Sequence, residues 1–240
     1  MIDFILAEEI AIPEGVTVKI TSGAKTLWEK SGLLPSAYQQ VAYIATDGNQ
    51  YFDTGIMASD YPNGIRYVFC GNVTKYQSTQ NIYWFGALGN SCRSGNFGSR
   101  ETYLCLFVGG TGNYYSALSR PSAGEDFEVI VQGTSKDAKS CIATYNGEQL
   151  STHSGLVNSE MPSANIYLLT CSNTSAASTA NMKYYGKIYS FTMDSVDGTP
   201  LRNFVPCYRK SDGVIGLYDT VGKTFYINKG TGAFTKGANV

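Results

Sequence analysis

From Tyr38 to Val240 the chain is punctuated too often for helices. Short runs of β-branched and aromatic residues are cut by clusters of Gly, Ser, Asn and Asp, and apolar residues hardly ever recur at helical spacing. The runs are Val41–Ile44, Tyr51–Phe52, Gly64–Phe69, Asn81–Phe85, Thr102–Val108, Phe127–Val131, Ser140–Tyr145, Asn165–Leu169, Lys183–Thr192, Val214–Tyr218 and Thr224–Ile227. So many short strands exceed an immunoglobulin domain and predict an all-β fold, a larger two-sheet antiparallel jelly-roll sandwich. No internal repeat is visible, which disfavours a propeller or solenoid.

Composition supports a packed domain with a polar surface. Of 240 residues, 43% are hydrophobic, enough for a buried core, whereas only 15% are charged. The net charge of −1 gives no general attraction to phosphate backbones, so nucleic-acid binding is not expected as the main task. No run of about 18 apolar residues exists, so no membrane-spanning helix is expected. Met1–Ile12 lacks a basic start and carries Glu8 and Glu9, so no secretion signal is expected there.

The first residues predict a separate small unit. Val16–Ile20 alternates, Thr21–Ala24 has turn chemistry and Lys25–Trp28 resumes an extended run, a β-hairpin led in by Pro13-Glu14-Gly15. A lone hairpin is marginal in water and needs a neighbour or a partner. The expected organisation is a hairpin segment over 1–30, a linker over 31–36 and the sandwich over 37–240.

Three long polar stretches read as loops: Gly86–Arg100, Gly109–Tyr115 and Ser172–Ala180. Loops on a rigid sandwich are where recognition usually sits. A sugar offers an apolar C–H face to an aromatic ring and hydroxyls to amide and guanidinium groups. Trp84, Arg93, Asn113, Tyr114 and Tyr115 flank or occupy these loops and are the candidate ligand-binding residues; the alternative for Trp84 is a core position. The 18 tyrosines could equally line a homotypic interface.

Little else offers chemistry. The six cysteines have no CxxC spacing and His153 is the single histidine, so a Cys/His zinc site is not expected and reduced core thiols are favoured over disulfides. GGTGNYY lacks the Lys-Ser/Thr ending of a phosphate loop, and no GxSxG elbow accompanies His153. Asp53, Asp60, Asp194, Asp197, Asp212 and Asp219 all fall at turns, where capping of the backbone competes with a calcium site. No metal and no cofactor is assigned. Gly230-Thr231-Gly232 predicts a close backbone crossing or a bulge.

LPSAYQQVAYIATDGNQYFDTGI (Leu34–Ile56), Ala143-Thr144-Tyr145-Asn146-Gly147 and the closing run through Leu201–Arg209 and GVIGLYDTVGKTFYINKGTGAFTKG resemble concanavalin A-like, laminin-G-like jelly rolls of bacteriophage structural proteins. The likeness covers about Leu34–Gly237. The IPEG and LWEK segments near the N-terminus resemble docking segments of phage virion accessory proteins. The resemblance implies a non-enzymatic virion protein of tail, baseplate or head fibre. It would be docked to other virion subunits through residues 1–30, form a homotrimer as fibre-like phage proteins commonly do, and display a jelly roll that binds a host cell-surface glycan or receptor. It implies folding in the bacterial cytoplasm and action outside it. One alternative is a purely structural decoration protein. The other is a polysaccharide depolymerase, since laminarinase-type enzymes share the jelly roll and need two close carboxylates. Asp126 and Glu128 are the nearest match, but Glu125 breaks the alternation, and solvated turn residues are the competing reading.

Overall fold

The computed structural model describes residues 17–22, 25–31, 34–76, 82–89, 93–100, 103–107, 113–132, 140–149, 153–154, 161–173, 176–177 and 183–240. The first strands are β1 (Thr17–Ser22), β2 (Lys25–Ser31), β3 (Tyr38–Gln40), β4 (Ile44–Thr46), β5 (Phe52–Met57), β6 (Ile65–Val73), β7 (Ile82–Leu88) and β8 (Arg93–Arg100). Then come β9 (Tyr103–Phe107), β10 (Asn113–Ser119), β11 (Asp126–Gln132), β12 (Ser140–Tyr145), β13 (Glu148–Gln149), β14 (His153–Ser154) and β15 (Asn165–Leu168). The last are β16 (Ser172–Asn173), β17 (Ala176–Ala177), β18 (Gly186–Ser195), β19 (Pro200–Arg209), β20 (Ile215–Asp219), β21 (Thr224–Ile227) and β22 (Thr235–Lys236).

The strands form the expected two-sheet, all-β sandwich. The smaller sheet runs β10-β9-β8-β7-β15-β5, with β16 on β7 and β17 on β16. The larger runs β13-β12-β11-β6-β18-β19-β20-β21, with β14 on β12, β4 on β18, β22 on β4 and β3 on β19. The expected N-terminal hairpin forms its own two-stranded sheet, paired from Thr17↔Ser31 to Ser22↔Lys25, with arms longer than expected.

Period-two alternation sets the core. On β6, Ile65, Tyr67, Phe69 and Val73 are buried; on β11, Phe127, Val129 and Val131 are. Facing them, β7 contributes Trp84 and Phe85, and β8 contributes Phe97. Ring contacts then run through the interior: Trp84 lies 4.3 Å from Phe127 and 5.3 Å from Phe97, and Phe85 lies 5.4 Å from Phe191. Tyr184 is fully buried; its hydroxyl accepts from the Asn72 N–H at 3.2 Å and donates to the Lys187 carbonyl at 2.8 Å. Burial pushes that phenol well above its ordinary pKa, so it stays a neutral donor.

The C-terminal segment ties the two sheets together. Phe234 stacks on Phe52 of β5 at 4.7 Å and 7°, while β22 just after it pairs with β4 of the larger sheet. Backbone bonds from Gly237 N to Tyr43 O (2.9 Å) and Val240 N to Gln40 O (3.1 Å) continue the strap.

Several expectations change. Gly86–Arg100, expected as a loop, is largely β7 and β8 joined by a short connection, and the end of Gly109–Tyr115 is the start of β10. Composition concealed β8, whose sequence RSGNFGSR reads as a turn. At Gly98 the reason is steric: a Cβ would sit 1.8 Å from the Ile82 carbonyl oxygen of the neighbouring strand. Ser172–Ala180 contributes the two-residue strands β16 and β17. Val41–Ile44 is not continuous; β3 ends before it, β4 begins at Ile44, and Val41 makes an isolated bridge to Asn239.

The turn chemistry holds. Asp53, Asp197, Asp212 and Asp219 each accept the backbone N–H two residues on, at 2.9–3.2 Å. Asn146 and Gly147 both have positive φ, 49° and 82°, as the tight turn between β12 and β13 requires. Cys70, Cys171 and Cys207 form no disulfide, and burial raises Cys207 to about 12, which keeps it protonated.

Candidate functional site

The sequence candidates are carried by three strands of the smaller sheet, β7, β8 and β10. Trp84 is 0% exposed, enclosed by Phe69, Phe97, Phe127 and Tyr184, so it has no free face for a sugar and takes the core alternative. The physical reason is strand position: it sits mid-way along β7, a strand buried from Ile82 to Ala87. Arg93 opens β8 opposite Leu88. Asn113, Tyr114 and Tyr115 open β10, the edge strand, opposite Phe107, Leu106 and Cys105. β9 separates the two strands, and Asn96, not Arg93, shares the Phe107 row with Asn113. Arg93 and Asn113–Tyr115 are therefore strand residues rather than tips of long loops.

A second group of residues surrounds a cleft. A cleft of about 390 Å³ lies among residues 48–51, 169–170, Lys183 and 229–231. Each segment neighbours a core anchor. Tyr51 precedes the fully buried Phe52, Leu169 follows Leu168, Lys183 precedes Tyr184, and Lys229–Thr231 lead to Phe234. The cleft therefore stands on rigid elements.

Its walls are prearranged. Gln50, 2% exposed, accepts through Oε1 from the Thr46 hydroxyl (2.7 Å) and the Asp47 N–H (3.0 Å). Thr46 Oγ1 in turn accepts from Gly48 N at 2.9 Å. Gly48 has φ +93°, and a Cβ there would lie 2.6 Å from the Tyr185 ring. Lys229 N donates to Tyr51 O (3.0 Å) and Thr231 N to Asn49 O (3.1 Å), a short ladder between the two loops. The expected close crossing at Gly230 is real: a Cβ would meet Asn49 O at 1.9 Å. Asn228 locks the crossing, accepting from Tyr51 N (3.2 Å) and Gly230 N (2.8 Å). Leu169 holds φ +71°, unusual for a bulky side chain, with its N–H on Trp84 O (2.7 Å) and its carbonyl on Tyr184 N (3.4 Å).

The cleft offers complementary chemistries. Tyr51 is the aromatic residue of the lining, half-buried and braced from outside the lining by Tyr167, on which it stacks at 5.2 Å and 22°. Burial, then the Asp53 carboxylate, raises the Tyr167 hydroxyl above its ordinary pKa. Lys183 Nζ donates to Asn49 Oδ1 at 2.7 Å, and the exposed Lys229 supplies a second ammonium. Two other hollows of about 390 Å³ among the described residues, one beside Phe234 and one beside Tyr61 and Leu201, combine no stacked ring pair with lysines. Gly230 was the one site signal visible in sequence; Tyr51, Lys183 and Lys229 carried none.

Asp126 and Glu128 lie exposed on the outer face of β11. Asp126 Oδ1 accepts from the Tyr189 hydroxyl (2.6 Å) and Asn72 Nδ2 (2.7 Å), tying β11 to β6 and β18. These bonds, the Tyr189 hydroxyl first, hold its carboxyl below the ordinary carboxylate value. A lowered folded-state pKa contributes stability above the unfolded value of about 3.9, lost as pH falls through the folded value. Removing the hydroxyl with Tyr189→Phe will therefore shift the Asp126 titration upward in a carboxylate NMR experiment; an unmoved midpoint would deny the bond. Glu125 Oε2 accepts from Ser122 N at 2.7 Å, a turn role. Among the described residues no three His, Cys, Asp or Glu side chains group as a metal site.

No family model matches the sequence, and no curated protein matches it as a relative. Among solved structures, a "putative carbohydrate binding protein" from Bacteroides ovatus superposes with a TM-score of 0.57 at 13% identity, covering 84% of this chain and 62% of that one. At that identity the likeness is one of fold, and this chain spans under two thirds of that structure's length. A Trypanosoma rangeli sialidase in complex with 2,3-difluorosialic acid superposes with a TM-score of 0.45 at 8% identity, over 80% of this chain and 34% of that one, and carries no argument.

Proposed function

We propose that the protein is a non-enzymatic carbohydrate-binding β-sandwich whose ligand lies in the cleft between residues 48–51 and 229–231. The observation that carries the reading is the Tyr51–Tyr167 stack beside amide, hydroxyl and ammonium groups on core-anchored loops. Such a cleft suits a pyranose, with its apolar face on the ring and its hydroxyls on the polar groups. The fold shared with the Bacteroides ovatus protein, which is described as a carbohydrate binder, agrees with this.

The sequence resemblance supplies the setting we favour: a virion component that docks to other subunits through residues 1–30 and presents the sandwich to a host glycan. Saturable binding of the labelled protein to a polysaccharide panel, competed by the free polysaccharide, is the expected result. Failure of the folded protein to bind any of the panel would overturn the reading. Deleting residues 1–30 should abolish incorporation into particles while leaving glycan binding intact; unchanged incorporation would reject the docking role. The depolymerase alternative requires sugar release that Glu128→Gln removes.

A further inference from the structure

The geometry points to an anionic sugar as the ligand of this cleft, a pyranose bearing a carboxylate or a sulfate. The inference rests on the carbohydrate-binding reading and adds the charge of the ligand.

Among the described residues the lining carries two ammonium groups, Lys183 and Lys229, and no carboxylate. This is a local property, because the whole chain has a net charge of −1 with 18 basic and 19 acidic side chains. Lys183 Nζ is held at 2.7 Å by a neutral partner, the Asn49 amide oxygen. An ammonium has three donors, so that bond orients the group and leaves others for a ligand. Asn49 is in turn held by Asp47, which accepts through Oδ1 from Asn49 N (3.2 Å) and Asn49 Nδ2 (3.1 Å). The amide chain from Asp47 through Asn49 to Lys183 thus presents its positive end toward the cleft. A neutral sugar would make no use of the charge on two ammonium groups that share a lining with Tyr51, whereas an anionic substituent would pair with them. An ammonium is a point charge and does not distinguish planar carboxylate from tetrahedral sulfate, so both are named.

The test compares dextran, dextran sulfate and alginate by isothermal titration against the full chain, at low salt and at 0.5 M NaCl. The expected result is at least about tenfold tighter binding of one or both anionic polymers than of dextran, weakened by salt. The variant Lys183→Gln/Lys229→Gln should lose that preference with its melting midpoint preserved. Preference for dextran sulfate alone would assign sulfate, and for alginate alone carboxylate. Binding of dextran as tight as that of the anionic polymers, and lost in Tyr51→Ala, would overturn the inference and leave the carbohydrate reading standing. An anionic preference untouched by the double lysine variant would likewise overturn it. Binding of none of the three would overturn both.

Discussion

Trp84→Ala will destabilise the protein by about 3–5 kcal/mol, the usual cost of truncating a large buried aromatic. Trp84 is 0% exposed and lies among the rings of Phe69, Phe97, Phe127 and Tyr184, so its loss opens a void between the sheets where β7 faces β6 and β11. In a domain of this length the melting midpoint should fall by on the order of 10 °C. Trp84→Phe should cost much less, because the indole Nε1 has no hydrogen-bond partner among the described residues and only volume is removed. Urea unfolding of the two variants checks this. A Trp84→Ala protein with wild-type stability but lost glycan binding would instead restore Trp84 as a ligand platform.

The second large effect is on binding. Tyr51→Ala removes one ring of the Tyr51–Tyr167 stack and should weaken glycan binding by about tenfold or more. Stability should change little, since Tyr51 is only half-buried and its backbone bonds to Asn228 and Lys229 remain. Tyr51→Phe keeps the face of the ring and should retain most of the affinity. Titration calorimetry on the three proteins gives the comparison, and equal affinities would remove the stack from the site.

The fold was legible wherever local pattern and tertiary environment agree. Ile65–Phe69 and Phe127–Val131 were readable as strands from their β-branched and aromatic runs, and in the fold every second residue of each is buried while Arg66, Val68, Glu128 and Ile130 between them are half-buried or exposed. β8 was hidden because a strand lying close to its neighbour needs glycine, as Gly98 does against Ile82, and glycine in sequence signals a turn. Trp84 was ambiguous for the opposite reason: β7 is buried on both sides, so no alternation marks which residues face a ligand. Turn roles for Asp53, Asp219 and Asn146-Gly147 were readable because they depend on residues two apart or fewer.

The cleft was not legible, because it is assembled across the chain. Lys183 reaches Asn49 over 134 residues of sequence, and Asn228 reaches Tyr51 over 177. Nothing local to Lys183 or Lys229 distinguishes either from any other surface lysine. Gly230 alone announced itself, as a residue with no room for a side chain, and without its partner loop that clue pointed only to a crossing.

The central claim, that the glycan occupies this cleft, is tested most directly by an amide chemical-shift map of the full chain titrated with the best-binding polysaccharide fragment. The account predicts shifts concentrated at residues 48–51, 169–170, 183 and 229–231. Shifts concentrated instead at Arg93 and Asn113–Tyr115, with the cleft amides unmoved, would contradict it.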